Sequence, residues 1–216
     1  MSDQVLHLEL PLNEQGARRL TLGTVVVLSG LVFTGRSRFH IRAVEQGLVP
    51  QLDYRQVNAF FHVGPVMRQA ARGTWEVVSC EPTSSIRFER YAPEVVRRLG
   101  LRTLIGKTTM GKATADALRE VGGVHLTKVG LCGNALARSV KRVCSVHFLE
   151  ELGKTEATWV YEVQDFGPFF VDMDARGNNL FRDLDSEVGL RMAKIYEKLG
   201  IPDGYEYTPV SGREGR

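Results

Sequence analysis

Thr24-Val25-Val26-Val27-Leu28-Ser29, held between Gly23 and Gly30, is the stretch on which the fold class turns. Three successive valines are stiff at χ1 and pack well on a pleated surface. The run is too short for a helix and has glycine at both ends, so it predicts a buried strand. Upstream, Val5 to Leu12 alternates apolar and polar residues, as a half-buried strand does. Downstream, Phe60 to Val63 and Trp75 to Ser79 predict two more short strands, punctuated by Gly64-Pro65 and Arg72-Gly73. The pattern turns helical near Pro93, where Pro93 and Glu94 suit a helix start and Gly100 suits its cap. Thr103 to Ile105 predicts a strand, Thr114 to Val121 a helix stopped by Gly122-Gly123, and Gly133 to Lys141 a further helix. Trp159 to Val163 and Phe169 to Val171 predict strands, followed by turn chemistry at Ala175-Arg176-Gly177-Asn178. In the last helix Val188, Met192, Ile195, Tyr196 and Leu199 share a face. Asp185 or Ser186 would cap its start, and Gly200 and Pro202 end it. Strands and helices mix without the strict alternation of a doubly wound sheet. The residues alone therefore support an α/β or α+β layered domain.

The bulk composition bounds the rest. The 216 residues suit one domain over 1–202 with a flexible, Gly- and charge-rich tail at 203–216. The formal charge of +3 is too weak and too dispersed to argue for nucleic acid, but it suits an anionic substrate. The longest apolar run, Val25 to Leu28 and then Leu31 to Phe33, is far short of a membrane span. Met1 to Glu9 lacks signal-peptide architecture, so a cytoplasmic protein is expected. Cys80, Cys132 and Cys144 are odd in number and widely spaced. They imply neither a disulfide framework nor a zinc site, and buried free thiols are the simplest reading.

Four short segments carry chemistry. In Thr34-Gly35-Arg36-Ser37-Arg38-Phe39-His40, small residues beside arginines make a plausible carboxylate site, because the guanidinium fork matches a carboxylate. Arg38 equally suits a solvated charge on a helix running toward Val44. In Phe61-His62-Val63-Gly64-Pro65, His62 can titrate near neutral pH, although a histidine at a strand end is more often structural. In Pro82-Thr83-Ser84-Ser85-Ile86-Arg87, a turn into helix at this point would gather hydroxyls and backbone N–H groups, with Arg87 one turn along. An ordinary Ser/Thr cap fits the same residues. Ile105-Gly106-Lys107-Thr108-Thr109-Met110-Gly111 looks at first like a phosphate loop. That motif requires glycine at position 101, which is Leu101, with Gly100 one residue too early. What remains is a Gly-flanked lysine after a strand, a suitable cation for a carboxylate.

Taken in order, these segments resemble the beta subunit, or C-terminal domain, of class I fumarases and L(+)-tartrate dehydratase. The resemblance runs from about Leu20 to Leu199 and includes Asp165-Phe166-Gly167-Pro168, Asp174 and Gly177-Asn178-Asn179-Leu180. It implies a swivelling β/β/α domain within the α/β class. It also implies a hydro-lyase that interconverts malate and fumarate, or that acts on tartrate or another small hydroxy-dicarboxylate. A cluster-bearing alpha subunit would complete it, in a heterodimer or heterotetramer. The [4Fe–4S] cluster would belong to that partner, with no metal held by this chain, and its open iron would act as a Lewis acid on the departing hydroxyl. By position, Arg36, Arg87 and Lys107 match residues that hold the substrate carboxylates. Thr83 matches the residue acting at the carbon-bound proton, with Lys107 beside it in the catalytic pair and His40 and His62 as support. Two departures bear on the pocket. Ser37 stands where many members have Asp, and Thr108-Thr109 where they have Gly-Gly. A non-catalytic dicarboxylate-binding or assembly module is the alternative of another class.

Overall fold

The structure is a computed structural model, and it describes residues 5–70, 73–128, 130, 132–202 and 205. The chain divides into two compact units, Met1–Leu180 and Phe181–Arg216. In chain order the first contains β1 (Leu6–Glu9), α1 (Glu14–Arg18), β2 (Val25–Gly35), α2 (Ser37–Glu45), β3 (Ala59–His62), β4 (Val66–Gln69) and β5 (Trp75–Ser79). Next come a single 3₁₀ turn (Ser85–Phe88), α3 (Ala92–Leu99), β6 (Thr103–Gly106), α4 (Lys112–Val121) and β7 (Val124–Lys128). The unit ends with α5 (Gly133–Arg138), β8 (Val140–His147), α6 (Leu149–Glu156) and β9 (Thr158–Met173). α7 (Leu180–Leu199) starts at the last residue of the first unit and otherwise lies in the second. Apart from Tyr205, the segment read as a tail at 203–216 lies outside the described residues.

Seven strands lie in the order β1-β2-β3-β6-β7-β9-β8, and β4 and β5 pair as a separate hairpin. β1, β2, β3, β6 and β7 are mutually parallel, whereas β9 runs antiparallel to β2, β7 and β8. Because β9 pairs with both β7 and β2, the pairings β2–β3–β6–β7–β9–β2 close into a ring. Such closure requires bent strands. β2 shifts register against β9 between Val26 and Leu28 and again between Leu28 and Gly30. Gly30 has φ 124, and a Cβ there would meet Leu10 O at 2.7 Å, so only glycine lets the strand continue. The strand expected to stop at Gly30 therefore runs on to Gly35. Likewise the two strands expected at Trp159–Val163 and Phe169–Val171 are one strand, β9, which bends through Asp165 (φ 50) and Gly167 (φ 147).

β3, β6 and most of β2 are buried on both faces, which is why Val25 to Leu28 and Phe60 to Val63 read as apolar runs, whereas β1 at the edge is largely exposed. In β3, Ala59 and Phe61 join one hydrophobic cluster with Val26, Leu28, Trp159 and Tyr161. Phe60, between them, joins a second cluster in which α2, α3 and α4 cover the strands through Phe39, Val96 and Leu118. In β6, Ile105 and Leu104 divide in the same way. Phe33 and Phe60 stack at 4.6 Å within the second cluster.

The α-helix expected at Gly133–Lys141 stops at Arg138, and its last residues open β8 instead. α7 starts earlier than its sequence signals suggest. Asp185 and Ser186 lie within it, and the Ser186 hydroxyl bonds back to Arg182 O at 3.2 Å rather than capping. No helix among the described residues is long and apolar enough to cross a membrane.

Candidate functional site

The C-terminal ends of parallel strands are where an open α/β sheet presents ligand-binding loops. Three such ends meet here, at Gly35 of β2, His62 of β3 and Gly106 of β6. Each is followed by residues singled out from the sequence. The segment after β5 returns between β3 and β6 as an extended strip. It is held by an antiparallel bridge from Val63 to Pro82 and a parallel bridge from Ser84 to Lys107. Thr83 N–H donates to His62 O at 2.7 Å, Lys107 N–H to Thr83 O at 3.4 Å and Ser85 N–H to Lys107 O at 2.9 Å. Thr83 and Lys107 are therefore backbone neighbours despite their separation in sequence. Because Thr83 and Ser84 spend their backbone groups on β3 and β6, no α-helix begins at them. The helical element that follows is the 3₁₀ turn from Ser85, which carries Arg87 on its exposed side. The expectation that Arg87 lies one α-helical turn along from Thr83 is thus replaced by a strand bridge followed by a short turn.

Arg36 precedes α2 and lies across Gly64, where a Cβ would meet its Cδ at 2.6 Å and its Nη1 at 3.0 Å. The guanidinium is half-buried. Its Nη1 sits 3.7 Å from Glu156 Oε1, and its Nε has no partner. Glu156 is itself held by Arg38 N–H at 3.0 Å. Lys107 is exposed and is followed by Thr108 at φ 60. That left-handed conformation costs a non-glycine residue about 1–2 kcal/mol. Here it is supported by a hydrogen bond between Ser84 Oγ and Thr108 Oγ1 at 3.2 Å. Thr109 Oγ1 accepts from Asn179 Nδ2 at 2.9 Å, so Thr108 and Thr109 both have specific partners.

Beneath the strip, His40 and His62 face each other with their Nε2 atoms 3.1 Å apart, and His62 Nδ1 is 3.0 Å from Ser85 Oγ. Phe88 stacks on the His40 ring at 4.7 Å. Burial pushes His40 down to about 3, and burial with the neighbouring His40 and His125 pushes His62 well below the usual histidine range. Both rings are therefore neutral in the folded chain near pH 7, while in the unfolded chain they protonate near about 6.5. Below that value the unfolded state binds more protons. The stabilisation is therefore whole above it and is lost as pH falls, with the His40 part levelling off near its folded value. Between about pH 7.5 and pH 5.5, His40 alone predicts a loss of about 1.4 kcal/mol, and His62 acts in the same direction. Urea denaturation at the two pH values checks this; an unchanged midpoint would contradict it.

Several residues of this region escaped the sequence reading. Glu89 accepts from Gly111 N–H at 2.7 Å, Thr114 N–H at 3.1 Å and Thr114 Oγ1 at 2.7 Å, so a carboxylate from the strip's end caps α4. The signal was present, since Gly111 and Thr114 lack an acidic cap of their own, but the partner is remote in sequence. Of the cysteines, Cys80 is buried and its thiol is pushed up to about 12, whereas Cys132 and Cys144 are exposed. The reading of three buried thiols holds for Cys80 alone. Among the described residues no group of three or more His, Cys, Asp or Glu side chains lies together to hold a metal ion.

The strip and the strand ends around it lie within residues 2–184, which match the family model described as "Fumarase C-terminus". A candidate class I fumarate hydratase of Geobacillus stearothermophilus is 36% identical over 196 residues, covering 91% of this chain and 37% of that protein. A candidate L(+)-tartrate dehydratase subunit beta of Methanocaldococcus jannaschii is 33% identical over 190 residues, covering 87% of this chain and 93% of that protein. The L(+)-tartrate dehydratase subunit beta of Escherichia coli strain K12 is 31% identical over 192 residues, covering 89% and 94%. The chain thus spans little more than a third of the Geobacillus relative and nearly the whole of the two subunits. With the match extending over most of its length, this chain belongs to the fumarase C-terminus family.

Proposed function

We propose that this chain is the substrate-binding beta subunit of a hydro-lyase that interconverts malate and fumarate, completed by a cluster-bearing alpha subunit. The observation that carries the proposal is the joining of Thr83 and Lys107 across the ends of β3 and β6. It brings the Thr83 and Lys107 backbones together on a strip with Arg36 to one side and Arg87 at its end. Removing water from a 2-hydroxy dicarboxylate takes a proton from the carbon next to a carboxylate, and negative charge gathers on that carboxylate as the proton leaves. Lys107, Arg36 and Arg87 are the cations assigned to the two carboxylates. They fix the orientation of the substrate and stabilise the growing charge. Thr83 is assigned to the carbon-bound proton. A threonine hydroxyl is a weak base unless a neighbour activates it, and Lys107, whose N–H is held by Thr83 O, is assigned that role.

The relatives support the division of labour. Two are named as separate beta subunits of nearly this length, while the third carries the matching region within a much longer chain. A second polypeptide is therefore expected to supply the remainder. Cys80, Cys132 and Cys144 do not fit a cluster site, so the iron–sulfur cluster is assigned to the partner and no step is routed through this chain's thiols. α7 supports an obligate partner as well. Leu184, Val188, Met192, Ile195 and Leu199 form a stripe along it and all are exposed, as suits the apolar interface of a permanent complex. The two-cluster arrangement of the first unit, helices over one face of the parallel strands and β9 with β8 on the other side, supports a swivelling β/β/α domain. Free cysteines suit a reducing compartment, and the cytoplasm is the proposed location.

The test is anaerobic co-expression with the candidate alpha subunit and an absorbance assay of the complex and of the isolated chain, with malate and with tartrate. Fumarate formation from malate by the complex alone is the expected result. Preference for tartrate would keep the hydro-lyase and change the substrate. Failure with both acids by a cluster-loaded complex, or full turnover in Arg87→Ala, would favour a non-catalytic binding module.

A further inference from the structure

α2 begins directly after Arg36, with no acidic residue in its first turn and no side-chain cap of its own. The free N–H groups and the dipole of such a helix end favour a carboxylate. Glu156, the last residue of α6, brings one from far along the chain. Its Oε2 accepts from Arg38 N–H at 3.0 Å, while its Oε1 lies 3.7 Å from Arg36 Nη1. The two side chains are 25% and 21% exposed, so the pair is shielded on most sides. We propose that Glu156 is a positioning residue for the candidate site. One carboxylate oxygen is anchored on α2, and the other sets the direction in which Arg36 meets a substrate carboxylate. The proposal rests on the hydro-lyase reading of the site.

Glu156 can orient another side chain because its own backbone is pinned on both sides. Gly153, at φ 70 and ψ 170, breaks α6 just before it. Beyond it the chain enters β9 through Thr158 and Trp159, both fully buried. Trp159 donates its backbone N–H to Thr34 Oγ1 at 3.0 Å and its Nε1–H to Lys154 O at 2.8 Å. The segment that bears Glu156 is thus tied to the end of β2, close to Arg36 in sequence. The stem of Arg36 is confined as well. A Cβ on Gly64 would meet Arg36 Cδ at 2.6 Å and Thr155 Cγ2 at 2.7 Å, so Gly64, Arg36 and the residue before Glu156 pack without room to spare. Nη1 is the nitrogen on the Cδ side of the guanidinium. A carboxylate standing there leaves free the opposite edge, formed by Nε–H and Nη2–H. That edge grips a carboxylate with two parallel hydrogen bonds, and Nε has no partner among the described residues. An arginine side chain has many rotamers to lose when it is ordered. A guanidinium already held by Glu156 loses fewer of them on meeting the substrate, which is preorganisation.

The experiment compares Glu156→Gln with wild type in the reconstituted complex. Gln keeps an oxygen to accept from Arg38 N–H and loses the charge that faces Arg36. The expected result is a KM for the dicarboxylate raised about tenfold with kcat changed by less than about threefold, because a binding contact is disturbed rather than the proton transfer. Glu156→Asp, which draws the charge back by one methylene, raises KM by about threefold. Glu151→Ala, exposed on the same helix, leaves both constants within about twofold of wild type. In an Arg36→Ala background Glu156→Gln has no further effect on KM, since it acts through the arginine. Side-chain ¹⁵N NMR on the labelled full chain reads the contact without turnover. In Glu156→Gln the Arg36 Nε–H exchanges with solvent about tenfold faster than in wild type. A KM that stays the same or falls in Glu156→Gln overturns the proposal, a fall meaning that Glu156 competes with the substrate for Arg36. An equal rise in KM with and without Arg36 overturns it too, as an effect on the fold alone. An Arg36 Nε–H that ignores the substitution overturns the orienting contact itself. If Glu156→Gln does not fold, Glu156→Asp decides by the same KM and NMR readings. If the wild-type complex turns over neither acid, the proposed function fails, and the NMR comparison still decides whether Glu156 orients Arg36.

Discussion

In the reconstituted complex, Lys107→Ala is expected to lower kcat/KM for the dicarboxylate by about a hundredfold to a thousandfold. Lys107 is exposed at the end of β6, and its backbone is bonded to Thr83 on one side and Ser85 on the other. Its side chain therefore springs from a fixed backbone beside the left-handed turn at Thr108. Charge grows on the substrate carboxylate only as the carbon-bound proton departs, so the cation gains more from the transition state than from the bound substrate. Removing one preorganised donor of this kind costs about 2.7–4 kcal/mol of transition-state stabilisation. The loss should fall more on kcat than on KM. Lys107→Arg should not restore the rate, because a longer planar fork cannot occupy the place of a compact ammonium. Lys112→Ala is the control. Lys112 is also exposed, but it pairs with Asp116 at 2.6 Å at the start of α4, and its loss should change the rate by less than about twofold. Steady-state kinetics of the three variants against a melting curve of each decides the matter. If Lys107→Ala kept kcat/KM within threefold of wild type, the lysine would have no part in catalysis.

The residues of the candidate site were easier to single out in the sequence than the frame that holds them. Arg36, Thr83 and Lys107 stood out because small or hydroxyl residues surround them in short segments after apolar runs, a local pattern. What joins them is not local. The strip at Pro82–Ser85 takes its hydrogen bonds from β3 and β6, so its Ser/Thr cluster resembled a helix start until those partners were in view. β7 escaped notice because His125 and Thr127 are buried and break the apolar run. A histidine inside a strand has no spacing signature, and its partner Asp172 lies 47 residues further on. β8, with Lys141 and Arg142 exposed, lacks the alternation that marked Trp159 to Val163. Gly30 looked like an end because turn chemistry is local, and Trp159 to Val163 and Phe169 to Val171 read as two strands because the alternation breaks at Asp165 and Gly167, whereas both places bend strands that continue. Capping chemistry, which is local, was legible: Gly100 and Gly122 close α3 and α4 in the left-handed conformation as their positions suggested.

Gly106→Ala should be the most damaging single methyl addition near the site. A Cβ at this position would overlap the Ser85 hydroxyl oxygen, stand 3.1 Å from Ser85 Cβ and reach within 3.5 Å of His125 Nε2. Ser85 cannot swing aside cheaply. Its side chain is short, its hydroxyl is held by His62, its N–H is held by Lys107 O, and it is fully buried. Either β6 or the strip must therefore move, and overpacking of this kind costs about 3 kcal/mol. For a chain of this size that corresponds to a fall in Tm of about 6–12 °C. Moving the strip also parts Thr83 from Lys107, and a displacement of about 1 Å at the reacting groups costs about a hundredfold in rate. The double variant Gly106→Ala with Ser85→Gly separates the two effects. Removing the Ser85 side chain makes room for the methyl group, so the stability loss should shrink below the sum of the single losses. The rate should stay low, because the hydroxyl between His62 and the strand end is gone. Thermal melts and kinetics of the two single variants and the double variant test this. A Gly106→Ala chain within about 0.5 kcal/mol of wild type, a change typical of an uncrowded surface site, would mean that Ser85 does not sit against the end of β6, and the geometry proposed for the catalytic pair would have to be abandoned.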